Sequence, residues 1–117
     1  MITKDLIFYF VRKTIDGFTS EQRERLKGVK IFVYDNILVF DPHQDKKEII
    51  GSWTGKYSMI EYYLPTLLNF IGPQKDVYEA IKKVESVVEH ELLHAIGLNH
   101  EQIDKLREKR KKLNKNK

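Results

Sequence analysis

The chain has no cysteine among its 117 residues, and only three prolines, two methionines and one tryptophan. The missing thiol excludes disulfides, a cysteine-ligated zinc finger and a cysteine nucleophile. No apolar run approaches the ~20 residues that a bilayer-spanning helix needs. The longest candidate, Leu6–Val11, is flanked by Lys4, Asp5, Arg12 and Lys13, and no small-residue cleavage site follows it. It does not read as a secretory signal, so a cytoplasmic location with no membrane partner is expected.

Hydrophobic residues make up 41% of the chain and charged residues 32%, the balance of a soluble globular domain with one modest core. The net charge of +4 hides an asymmetry. Residues 105–117 carry eight Lys/Arg against one Glu, while the preceding 104 carry 13 positive and 16 negative groups. A single domain over 1–104 followed by a basic helix end or tail over 105–117 is expected. Such a tail is more often a solvated helix end than a nucleic-acid contact, so nucleic acid is a possible partner but not the favoured one.

Hydrophobic periodicity predicts an amphipathic helix over Ile2–Ile15, with Leu6, Phe10 and Val11 on one side. Thr19 followed by Gln22 is a capping-box pattern for a short helix ending at Gly28. Val29–Tyr34 reads as a strand, Ile37–Phe40 as a second short one, and Asp41–Lys47 as a charged loop. Glu48–Trp53 and Ser58–Tyr63 read as further strands. Thr66–Ile71 is ambiguous between strand and helix, and Pro65 argues for an edge or turn. Lys75–Ile96 reads as one long helix stopped by Gly97, and Asn99 with Gln102 caps a last helix. Runs of helices and runs of strands, without strict alternation, predict an α+β fold: a small twisted mixed sheet packed on the long helix, with helices at either end.

The long helix ends in HELLHAIGLNH, His90–His100, which holds three of the four histidines. On a helical wheel Val77, Ala80, Ile81, Val84, Val88, Leu92 and Ile96 cover a single arc. His90 and His94 lie about 40° apart at its border, and Glu91 falls inside it. A carboxylate on a core-facing stripe is costly unless it is paired, protonated or beside a cation. A hydrogen bond to a buried donor would meet that need, and so would a dication held by the two histidines. Imidazoles at i and i+4 can share one Zn²⁺. Gly97 can take positive φ and turn the chain back, which lets His100 reach the same ion. The full spacing HExxHxxGxxH is expected by chance on the order of 2 × 10⁻⁵ times in a chain of this composition.

His90, His94 and His100 are therefore the expected ligands of one Zn²⁺ per chain. Three neutral imidazoles leave an open fourth position for a water of lowered pKa. Glu91 is the expected catalytic residue, a general base and acid for that water. The natural reaction is hydrolysis of a peptide bond, with a peptide or an unfolded protein as substrate.

These residues resemble the zincin metallopeptidase motif. Metzincins share the three-histidine form but carry a downstream methionine turn, and both methionines here, Met1 and Met59, lie upstream. The order of VKIFVYD (Val29–Asp35), GSWTG (Gly51–Gly55), a strand and the HExxH helix is similar to the small single-domain zincin-like metallopeptidases of prokaryotes. Members of that family often have Asp where this chain has His100. The resemblance implies a minimal zincin-like domain and a substrate extended along a sheet edge. LLHAIGLNHE (Leu92–Glu101) also resembles part of the motif of bacterial rRNA-maturation endoribonucleases, but Glu91 stands where that motif has Gly. That activity and a non-catalytic zinc-stabilised binding domain are the alternatives.

Other polar residues carry weaker signals. His43 reads as a solvent-facing loop residue. Trp53, Tyr57, Tyr62 and Tyr63 include possible oxyanion stabilisers, although strand aromatics are usually core. Glu101 and Asp104 are alternative ligands should His100 turn away, and Glu101 also suits the start of the last helix.

Overall fold

The first helix begins where the sequence supplies a cap. In the computed structural model, which describes residues 2–36, 40–41, 47–72 and 76–115, Thr3 Oγ1 accepts from the Leu6 N–H and α1 runs Lys4–Asp16. Its buried side is Ile7, Phe10 and Val11, so Phe10 and Val11 of the expected stripe are buried, while Leu6 is partly covered at its border and Ile7 joins it. The capping box at Thr19 is formed in both directions, at 2.9 and 3.1 Å, and opens α2, Ser20–Arg25. Gly28, at φ 84°, turns the chain into β1, Lys30–Tyr34.

Two short strands follow, β2 (Phe40–Asp41) and β3 (Lys47–Glu48), paired antiparallel to each other. The expected strand Glu48–Trp53 is therefore split. β3 belongs to that pair, and β4 (Gly51–Thr54) belongs to the main sheet. Residues 37–39 of the expected second strand and most of the expected loop, including His43, lie outside the described residues. A 3₁₀ turn over Gly55–Tyr57 leads to β5, Met59–Tyr63. The main sheet has the order β1-β5-β4, with β1 parallel and β4 antiparallel to β5, so it is mixed.

The expectation of an edge or turn at Pro65 is overturned: α3, Leu64–Ile71, is a helix with Pro65 in its first turn. A proline there lacks only an N–H that no carbonyl of the helix would accept. Thr66, fully buried, secures the junction with its single Oγ1 proton shared between the Ile49 carbonyl that precedes β4, at 2.7 Å, and the Tyr63 carbonyl, at 2.9 Å.

The long helix α4 spans Val77–Ala95, capped by Asp76, whose carboxylate accepts from the Tyr78 N–H at 2.9 Å. Val77 was expected on the buried stripe but is 72% exposed, because the stripe is covered only from Ala80 onward. Val84, Val88 and Leu92 are fully buried against Ile7, Phe10 and Val11 of α1, Val33 of β1, and Ile60 and Tyr62 of β5. Helices α1, α3 and α4 thus cover one face of the sheet. The last helix, α5, runs His100–Lys115, and the result is an α+β domain with a three-stranded mixed sheet and five α-helices among the described residues. No helix among the described residues is long and apolar enough to cross a membrane.

Candidate metal centre

Two devices at the end of α4 bring the third histidine round. Ile96 caps the helix, and Gly97 follows at φ 104°, a conformation that side-chain-bearing residues rarely adopt. The Gly97 N–H donates to the His94 carbonyl and the Leu98 N–H to the Leu93 carbonyl, both at 3.0 Å. This is the Schellman pairing, and its accompanying apolar contact is made by Leu93 and Leu98 in one cluster. A free carbonyl at the helix end is also satisfied from α2, where Arg25 Nη1 donates to the Ile96 oxygen at 2.9 Å. The reciprocal pair of Asn99 and Gln102, at 2.8 and 2.9 Å, then starts α5 with His100 as its first residue.

The outcome is that the three expected ligands are brought together. One ring nitrogen from each of His90, His94 and His100 lies within 4.8 Å of the other two, and the cluster could hold a metal ion. His94 Nδ1 lies 2.9 Å from the Leu98 carbonyl and must donate to it, since a carbonyl cannot. In the neutral ring that choice leaves the Nε2 lone pair of His94 facing His90 Nε2 at 3.1 Å. His90 meets that lone pair either by donating its own Nε2–H or, as the other tautomer, by sharing a cation with it. Zinc–nitrogen bonds of 2.0–2.1 Å at a tetrahedral angle would put two donors about 3.4 Å apart, close to what the two rings show. The donor set and its spacing therefore leave room for a metal ion among the three rings. The Leu98 carbonyl fixes the orientation of the His94 ring, as a partner of a metal-binding histidine would.

The electrostatics of the cluster follow from its packing. Burial, then the charges of His94, Arg107 and His100, lower His90 to about 4, and Asp104 opposes them. Glu91 is 8% exposed, and burial raises its carboxyl to about 7, with no described charge or hydrogen bond offsetting it. This is the costly carboxylate that the helical wheel places on the core-facing stripe. It lies against the sheet: a Cβ on Gly51 of β4 would fall 3.1 Å from Glu91 Cγ.

The remaining candidates separate. Tyr62 is 1% exposed and donates its hydroxyl to the Val88 carbonyl at 2.7 Å, a structural bond that ties β5 to α4 two residues before the motif. Tyr63 stacks on Tyr34 at 5.5 Å between ring centroids, and Trp53 packs on the main core. Tyr57 is exposed on the 3₁₀ turn. Glu101 pairs with Lys105 at 3.3 Å, and Asp104 is not part of the three-histidine cluster. Two basic residues beyond position 104 bond to α4: Arg107 donates to the Ser86 carbonyl, and Arg110 to Glu89 at 2.7 Å. Sequence reasoning missed Arg25, the Leu98 carbonyl and the contact of Gly51 with Glu91. Only the last had a signal, a glycine inside a strand pattern, which marks close approach of another group. The sequence matches no known family pattern and no characterised protein.

Proposed function

We propose that this protein is a zinc-dependent peptidase built as a minimal zincin-like domain. The observation that carries the reading is the single turn of α4 that sends His90 and His94 to the three-histidine cluster and holds Glu91, 8% exposed and with its carboxyl raised by burial, on the adjoining core-facing side. A helix built only for packing has no use for that carboxylate. Zinc, when bound, supplies a Lewis acid that acidifies a water and polarises a carbonyl.

The chain's own residues do the rest. His90, His94 and His100 would hold the ion, and the Leu98 carbonyl keeps the Nε2 of His94 turned toward it. Glu91 takes the proton of the attacking water and delivers it to the leaving amine. Strand β4 is the sheet edge beside Glu91. The Tyr63 N–H bonds the Ile50 carbonyl, which sets the antiparallel phase, so the N–H and C=O of Gly51 and Trp53 point away from β5. No described strand pairs on that side. An extended peptide or unfolded segment would add there as a further strand, which brings a scissile bond to Glu91.

The test is Glu91→Gln. The variant is expected to keep stoichiometric zinc by metal analysis and to cleave a denatured protein about 10²–10⁴-fold more slowly than the zinc-loaded wild type. Unchanged cleavage removes Glu91 from the mechanism, and absence of cleavage by the wild type removes the peptidase reading.

A further inference from the structure

Gly51 lies where β4 crosses α4. A Cβ built there meets Glu91 Cγ at 3.1 Å, Tyr62 Cδ1 at 3.2 Å and the Glu61 carbonyl at 3.4 Å. The first two are tighter than ordinary side-chain contacts. The backbone of Gly51 is not in a left-handed conformation, so alanine is not excluded there by its dihedral angles. What opposes it is crowding alone. Of the two crowded groups, Tyr62 has no freedom: its ring is buried and its hydroxyl is tied to the Val88 carbonyl. The Glu91 side chain, which no described group holds by a hydrogen bond, is the one that gives way.

We infer that Gly51 is a positioning residue for Glu91: its missing side chain is what lets the Glu91 side chain lie against β4 beside Tyr62. The inference rests on the peptidase reading only for the consequence in catalysis. The contact itself concerns how the chain seats Glu91. It also sets the distance between the sheet edge and the carboxylate, since β4 provides the outward N–H and C=O of Gly51.

The experiment is a double-mutant cycle of Gly51→Ala and Glu91→Ala, read by thermal midpoint, zinc affinity and peptide cleavage. Glu91→Ala removes a carboxylate that burial penalises and is expected to fold. Gly51→Ala alone is expected to lower the midpoint by ~4 °C, to leave zinc affinity within about threefold, and to reduce kcat by tenfold or more with KM little changed. In the Glu91→Ala background the same alanine should lower the midpoint by less than half as much, because Cγ is gone. Equal midpoint losses in both backgrounds would show that Gly51 does not act through Glu91 and overturn the inference. So would a fall in zinc affinity that parallels the fall in kcat, since the whole site would then be displaced. Coupling in the midpoints with no cleavage by any protein, wild type included, keeps Gly51 as the residue that seats Glu91 and removes the peptidase reading instead.

Discussion

Two apolar clusters hold the candidate site, one along α4 and one at its C-terminal end, and they differ in size and in what they position. The larger joins α1, the sheet, α3 and α4 through residues such as Ile7, Ile60, Leu67, Val88 and Leu92. It seats α4 on the sheet, and His90, Glu91 and His94 come with that helix. The smaller contains only Leu93, Ile96 and Ile103 as buried members, bordered by Phe18, Leu26, Leu98 and Leu106. It seats the start of α5, and His100 comes with it. Two of the candidate ligands therefore depend on the global fold. The third depends on a satellite cluster and a turn.

This division predicts unequal responses to the same chemical change. Leu92→Ala empties a fully buried position of the larger cluster and is expected to cost about 2–5 kcal/mol in denaturant unfolding of the metal-free protein. Ile103→Ala empties a fully buried position of the smaller one. Its bordering residues are partly exposed and can relax, so about 2 kcal/mol is expected, at the lower end of the same range. Its signature is a loss of zinc affinity of about tenfold, measured by competition with a chromophoric chelator, as His100 loses its fixed place. Equal stability losses with no difference in zinc affinity would break the comparison.

Gly97→Ala acts on the turn between the clusters. At φ 104° an alanine is strained by about 1–2 kcal/mol, and relief of that strain undoes the pairing that aims Leu98 and His100. A lowered thermal midpoint together with weakened zinc binding is expected. A lowered midpoint with unchanged zinc affinity would show that His100 is placed by α5 packing alone.

The same division explains what could be read from the sequence. Everything local to the motif is legible. The 3.6-residue period puts Glu91 on the apolar side, Gly97 marks the turn, and Asn99 with Gln102 marks the next helix; the structure shows each of these. What escapes is set by pairing between distant segments. The split of Glu48–Trp53 follows from a change of strand partner that no local pattern records. The helix at Leu64–Ile71 is masked by Pro65, whose meaning changes with its position in the turn. The guanidinium of Arg25 reaches a carbonyl 71 residues away, and in the sequence it is one more surface charge.

The smallest expected effect is the most discriminating. Asn99 stands between Leu98, whose carbonyl holds His94, and His100, and its side chain accepts from the Gln102 N–H at 2.9 Å. Asn99→Ala removes that cap and is expected to cost about 1 kcal/mol, whereas Asn99→Gly should cost only a few tenths of that. Neither substitution touches an apolar cluster. If His100 is fixed by the first turn of α5, zinc affinity should fall several-fold in Asn99→Ala and recover in Asn99→Gly, in step with helix stability. If Ile103 fixes it from the second turn, both variants should bind zinc as the wild type does while the alanine variant still loses stability. The pair of measurements therefore separates placement of the third ligand by the cap from placement by the smaller cluster.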